Sequence, residues 1–233
     1  MCSSDLNSAP DRGGTLLRVT TLLLVRHGQA ETTGRLLSGW TPGVHLAESG
    51  RKQAEGLVER LRGVKVDAMY ASPLERCRET AAPLERDRRL RATVRKDLGE
   101  IGFGSWTGQS LARLSRNRLW SRVQFLPSRM RFPDGESFAE AQARGVAALE
   151  EIAAAHPKGT VAVFSHADLI RLLLAHYLGV HLDLFQRIMV DTASVSVVHL
   201  GEGKPMILKM NDTGDLASLR ARPRPAARKG AKR

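Results

Sequence analysis

The chain has 233 residues, 42% of them hydrophobic, a formal charge of +12 and only two cysteines, Cys2 and Cys77. That length allows one sizeable core. Two cysteines exclude a disulfide framework, and no apolar run reaches the roughly 20 residues of a membrane helix. A cytoplasmic globular protein is expected.

Residues 1–18 are expected to form a disordered N-terminal segment, since Met1 to Gly14 is polar and carries Gly, Pro and Ser. Leu16 to Val25 is broken by Arg18 and two threonines, and no small-residue cleavage site follows it. It therefore reads as strand rather than signal peptide. Its core, Leu22-Leu23-Leu24-Val25, stops abruptly at Arg26-His27-Gly28. An apolar run of this kind fits a strand buried on both faces of a parallel sheet. Ligands bind beyond the carboxyl ends of such strands.

Leu46 to Leu61 reads as a helix with Ala54, Leu57, Val58 and Leu61 on one stripe. Val64 to Tyr70 is a strand candidate. Ser72-Pro73 suits a helix start, with Ser72 as N-cap and Pro73 in the first helical position. Arg76 then falls in the first turn. A guanidinium at the positive end of a helix is costly unless an anion is expected there; pairing with Glu75 or Glu79 is the other reading.

Val94 to Leu98 is expected to be a short strand leading to Glu100. Between Phe103 and Pro133 stand six arginines (Arg113, Arg116, Arg118, Arg122, Arg129, Arg131) and no acid. Leu111 to Arg131 is expected to be a mostly helical insertion over the sheet's C-terminal edge. Its arginines form either a solvated face or a positive lid that gathers anionic substrate. Phe138 to Ala155 reads as a helix with Ser137 as N-cap. Thr160 to Phe164 repeats the first pattern: an apolar run followed by Ser165-His166, then a helix from Asp168 to Leu178 with Leu169, Leu172, Leu173 and Ala175 on one face. Val190 to Leu200 and Pro205 to Met210 read as strands of a hairpin. From Arg220 to Arg233 there are seven basic residues and no acid, so residues 217–233 are expected to be a disordered basic tail.

Four segments resemble the motifs of the histidine phosphatase superfamily, in its phosphoglycerate-mutase-like branch. They are Leu24-Val25-Arg26-His27-Gly28, Ser72 to Ala81, Leu98 to Gly108, and Ser165-His166-Ala167. Their order and spacing are those of the family, and the resemblance runs from about Thr20 to Leu216. It departs at Gln29-Ala30-Glu31-Thr32 and at Thr107. It implies an α/β three-layer sandwich with a mostly parallel central sheet, helices on both faces and a helical lid insertion. The domain would span 19–216, with the lid at about 105–136.

The implied chemistry is phosphate-monoester hydrolysis. Guanidinium forks match phosphoryl oxygens, and Arg26 and Arg76 fit that role with His166. His27, neutral near pH 7, is the expected nucleophile, its other ring nitrogen donating to a backbone carbonyl. Glu100 is expected to protonate the leaving alkoxide, with a pKa raised by burial beside Phe103 or Trp106. Thr33, Ser38 and Arg113 are candidate substrate contacts. No metal or cofactor is implied, because neither zinc-ligand spacing nor a Walker loop is present. The expected partner is a small anionic phosphate ester.

A phosphomutase using the same residues is the first alternative. A non-catalytic anion- or nucleic-acid-binding protein is the second. Aromatics make up only 5% of the chain and form no basic–aromatic ladder for stacking bases, which argues against nucleic acid.

Overall fold

The structure, a computed structural model, describes residues 18–214. The expected disordered N-terminal segment, apart from Arg18, and the basic tail lie outside the described residues.

Strand β1 (Val19–Arg26) leads through a loop to helix α1 (Glu48–Arg60), then β2 (Ala68–Ala71), α2 (Glu75–Arg88) and β3 (Ala92–Val94). Two short helices follow, α3 (Leu111–Leu114) and α4 (Trp120–Phe125). The chain then forms α5 (Phe138–Ala155), β4 (Thr160–Ser165), α6 (Ala167–Leu178), β5 (Val195–Gly201) and β6 (Met206–Asp212). The sheet has the order β3-β2-β4-β1-β5-β6. β1, β2, β3 and β4 are mutually parallel, and β5 runs antiparallel to both neighbours. Five of the six strands therefore point the same way.

The two-residue period of β1 divides the core. Leu22 and Leu24 face α5 and α6, together with Val161, Val163, Leu169 and Leu173. Leu23 and Val25 face α1 and α2, together with Leu57, Cys77, Ala81 and Phe164. A third apolar cluster gathers Phe103, Trp106, Val123, Phe132, Phe138 and Phe185 beyond the strand ends. Among the described residues no helix is long and apolar enough to cross a membrane.

Several elements differ from the sequence reading. β2 begins at Ala68, not Val64, because pairing with β4 starts only there and pairing with β3 at Met69. The segment expected as a strand at Val94–Leu98 is a 3-10 turn at Lys96–Leu98, preceded by the short β3. β5 begins at Val195: Asp191 to Ser194 is a turn, with Ala193 at φ +54° and its amide donating to Arg26 O at 3.1 Å. Helix α2 starts two residues after Pro73, with Leu74 as its N-cap. Ser137 does cap α5, in a reciprocal capping box with Glu140. The arginine-rich segment breaks into α3, α4 and a 3-10 turn at Pro127–Arg129 rather than one long helix.

Candidate active site

β1 and β4 are neighbours, parallel, and in register with Arg26 opposite Ser165. The next residue on each strand is therefore a histidine beside a histidine. His27 N donates to Ser165 O at 3.0 Å, and the ring centroids of His27 and His166 lie 5.3 Å apart, edge to face.

His27 is 6% exposed and lines a cavity of about 300 Å³. Its Nδ1 lies 2.7 Å from Gly28 O. A carbonyl only accepts, so Nδ1 carries the proton and the Nε2 lone pair is free. Burial, then the charges of Arg76 and Arg26, pull the His27 pKa down to about 3, so the ring is neutral at pH 7. Gly28 has a packing reason: a Cβ there would meet Gly50 O of α1 at 2.6 Å. Its amide donates to Thr80 Oγ1 at 2.9 Å, tying the motif to α2.

Arg76 is 2% exposed and sits in the first turn of α2. Its Nη2 donates to Gly39 O at 2.9 Å and to His166 Nδ1 at 3.2 Å. Its Nη1 is buried without a hydrogen-bond partner. Arg26 donates from Nη1 to Val190 O at 2.7 Å, and its buried Nε also lacks a partner. Neither arginine pairs with Glu75 or Glu79; Glu79 instead holds Leu46 N at 2.8 Å. Two buried guanidinium nitrogens left without acceptors around one cavity are donors waiting for an anion.

His166 is wholly buried and, unlike the other expected site residues at the centre, does not line the cavity. Because arginine can only donate, its Nδ1 accepts from Arg76, and Nε2–H donates to Ser72 Oγ at 2.8 Å. Ser72, expected as a helix cap, is thus drawn to the imidazole. The ring lies beneath the site and fixes Arg76; burial and the Arg76 charge hold its pKa well below the usual value.

Glu100 lines the cavity, with Oε2 3.8 Å from His166 Nδ1. Burial and then the charge of Asp168 raise its pKa to about 7, against the pull of Arg76. The expected aromatic contribution is only partial: Phe103 lines the cavity, whereas Trp106 does not. The Glu100 loop is clamped from behind. Arg144 donates to Asp97 O (2.7 Å), Gly99 O (3.1 Å) and Glu100 O (3.3 Å), and its guanidinium is held by both oxygens of Glu136. Trp40 Nε1 adds a bond to Glu100 O at 2.7 Å.

Thr33 and Ser38 line the cavity wall, but each hydroxyl is used within its loop: Thr33 Oγ1 accepts from Ala30 N and Ser38 Oγ bonds Thr32 Oγ1. Arg113 is not brought to the site. It is exposed and lies outside the cavity lining, as do the other five arginines of its segment. Long cationic side chains on short helices reach water more cheaply than an apolar wall. That segment contributes Leu111, Trp120 and Val123 to the lining instead. The sequence reading missed Arg171 and did not assign Asp168 a part in the site; both line it from α6, joined by an Arg171 Nη1–Asp168 Oδ1 bond of 2.9 Å. Their i, i+3 spacing after His166 was the available signal. Among the described residues no three His, Cys, Asp or Glu side chains gather as a cation site.

A family model described as the histidine phosphatase superfamily (branch 1) matches residues 22–213. Phosphoserine phosphatase 1 of Hydrogenobacter thermophilus is 34% identical over 205 residues, covering 85% of this chain and 95% of that protein. The metal-independent phosphoserine phosphatase of Arabidopsis thaliana is 30% identical over 211 residues, covering 86% of this chain and 85% of that one. Among solved structures, Bacillus stearothermophilus YhfR aligns with a TM-score of 0.78 at 27% identity, over 83% of this chain and 97% of that one.

Proposed function

The chain belongs to branch 1 of the histidine phosphatase superfamily, and on that premise we propose that it hydrolyses a small phosphate monoester through a phosphohistidine on His27. The observation that carries this reading is the convergence of a neutral, tautomer-fixed His27 with the unpartnered Arg26 Nε and Arg76 Nη1 around one cavity.

In this reading Arg26 and Arg76 take the phosphoryl oxygens and set phosphorus in line with His27 Nε2. The N–P bond forms as the P–O ester bond breaks, and the electron pair leaves on the alkoxide. Glu100, protonated near neutral pH, gives that alkoxide its proton. Its carboxylate then takes a proton from water, the water oxygen attacks phosphorus, and the N–P bond breaks to release inorganic phosphate. His166 acts through Arg76, accepting from its Nη2 and so holding the guanidinium in place. Residues 105–136 act as the lid over the cavity. A cytoplasmic setting belongs to this reading and is supported by the cysteine usage, Cys77 being a free, buried thiol.

The test is phosphate release in the presence of a chelator from O-phosphoserine, 3-phosphoglycerate and p-nitrophenyl phosphate. Release from these esters is expected. Conversion of 3-phosphoglycerate to its isomer without free phosphate from any ester would show a mutase instead.

The acid makes a separate prediction. Glu100 must carry a proton to act, and its pKa is raised to about 7. The kcat profile is therefore expected to fall above about pH 7, close to tenfold per unit. Asp168 is the second cause of that raised value, so Asp168→Asn is expected to move the alkaline limb to lower pH. A limb that stays in place in the variant would remove Glu100 from the acid role.

A further inference from the structure

We infer that Asn211, near the end of β6, is a positioning residue for Arg26, acting through the single peptide unit that joins Val190 to Asp191. Its importance to turnover rests on the phosphatase reading above, in which Arg26 holds the phosphoryl group.

Arg26 must present its fork to the cavity, yet one arm is anchored behind it. Its Nη1 donates to Val190 O at 2.7 Å, and among the described residues this is the one hydrogen bond of that guanidinium. The peptide plane that carries Val190 O also carries the Asp191 N–H, which donates to Asn211 Oδ1 at 2.6 Å. In a trans peptide the carbonyl and the N–H point in opposite directions, and the plane turns as one rigid body. A rotation that takes the Val190 carbonyl away from Arg26 therefore also breaks the bond to Asn211. Loss of the Asn211 oxygen frees the plane, and with it the guanidinium. The two bonds also strengthen each other, because an acceptor on the N–H of an amide makes its carbonyl a better acceptor.

Asn211 is held for that task from every side. Its amide group cannot be turned round, since Nδ2 donates to Asp191 Oδ2 at 2.8 Å while Oδ1 takes the Asp191 N–H. Its backbone is left-handed, with φ +51°, a conformation that asparagine adopts more readily than most side chains. β6 carries one extra residue between the pairs Val197–Lys209 and Val195–Asp212, and a bulge of this kind re-aims a side chain out of the ladder. The Asn211 N–H is fixed by the buried Ser196 Oγ at 3.1 Å. The turn that Asn211 grips also holds the end of β1: Ser194 O accepts from Arg26 N, and the Ala193 N–H donates to Arg26 O, each at 3.1 Å. The ordinary alternative is that Asn211 merely closes the β5–β6 bulge and stabilises the fold.

Orthovanadate is the probe, its affinity read by calorimetry, with kcat/KM for p-nitrophenyl phosphate alongside. Asn211→Gly removes the side chain at a φ that glycine adopts freely. It is expected to weaken vanadate binding and kcat/KM by about 10-fold, the scale of one misplaced hydrogen bond to a charged group. In an Arg26→Ala background the same substitution is expected to change vanadate affinity by less than about twofold. Equal losses in both backgrounds would mean that Asn211 braces the fold and not Arg26, and would overturn the inference. Asp191→Ala deletes the carboxylate but keeps the peptide and its bond to Asn211, and it serves as the test should Asn211→Gly fail to fold. It is expected to bind vanadate within about threefold of the wild type, whereas a loss of about 10-fold would move the effect from the peptide to the carboxylate and likewise overturn the inference. If no ester is hydrolysed while vanadate binding keeps its Arg26-dependent response to Asn211→Gly, the phosphatase reading fails and the role of Asn211 stands.

Discussion

Replacing His27 by alanine is expected to lower kcat by about 10⁴-fold or more, the scale seen when a covalent nucleophile is removed. The expectation comes from geometry that leaves the ring one task. Nδ1–H is committed to Gly28 O, so only Nε2 can react. Burial and two arginine charges keep that nitrogen unprotonated. Neither property is needed for packing, where a smaller apolar side chain would serve. Brief incubation with a radiolabelled ester followed by alkaline quench is expected to trap label on the wild type as an alkali-stable, acid-labile phosphoramidate. The variant should carry none. Label retained at full stoichiometry in His27→Ala would move the nucleophile elsewhere. Circular dichroism of the variant guards against a folding defect, since His27 N also donates to Ser165 O across β1 and β4 through the backbone, which alanine preserves.

How much of this was legible in the sequence depends on whether a residue's role is local. Arg26-His27 and Ser165-His166 could be read because a strand buried on both faces must be continuously apolar, so its end is marked by the first polar residue. That both ends meet follows from β1 and β4 being parallel neighbours, which the family resemblance implied and periodicity alone could not supply. Boundaries failed where tertiary partners decide them. Val190 is apolar and 1% exposed, so it reads as strand, yet its carbonyl turns to Arg26 and the chain bends at Ala193 before β5 begins. Ser72 has the look of a helix cap, but its hydroxyl has a stronger claim from His166 across 94 positions. The composition of the arginine-rich segment fitted a solvated face and a positive lid equally. Composition says nothing of direction, and those side chains point to water. Arg171, paired with Asp168 one turn earlier on an apolar helix, offered only that i, i+3 spacing as a signal, although it reaches the cavity.

Arg76→Ala is expected to cost about 10²- to 10³-fold in kcat/KM, the scale of losing one donor to developing charge. Arg76→Lys should recover little, because an ammonium cannot span Gly39 O, His166 Nδ1 and a phosphoryl oxygen as one planar fork. Part of the loss in Arg76→Ala would be structural, since Gly39 O and His166 Nδ1 lose their buried donor, a change of about 1–3 kcal/mol in stability. The pH profile separates the two contributions. The Arg76 charge lowers the pKa of His27 and that of Glu100 as well. Its removal therefore raises both. The acid limb, set by protonation of His27, and the alkaline limb, set by loss of the Glu100 proton, should move to higher pH together. A defect of packing alone would lower the whole profile without displacing it. Limbs that stay fixed, or that move in opposite directions, would mean that Arg76 does not face both groups across the cavity, and the phosphoryl site would then have to be rebuilt around Arg26.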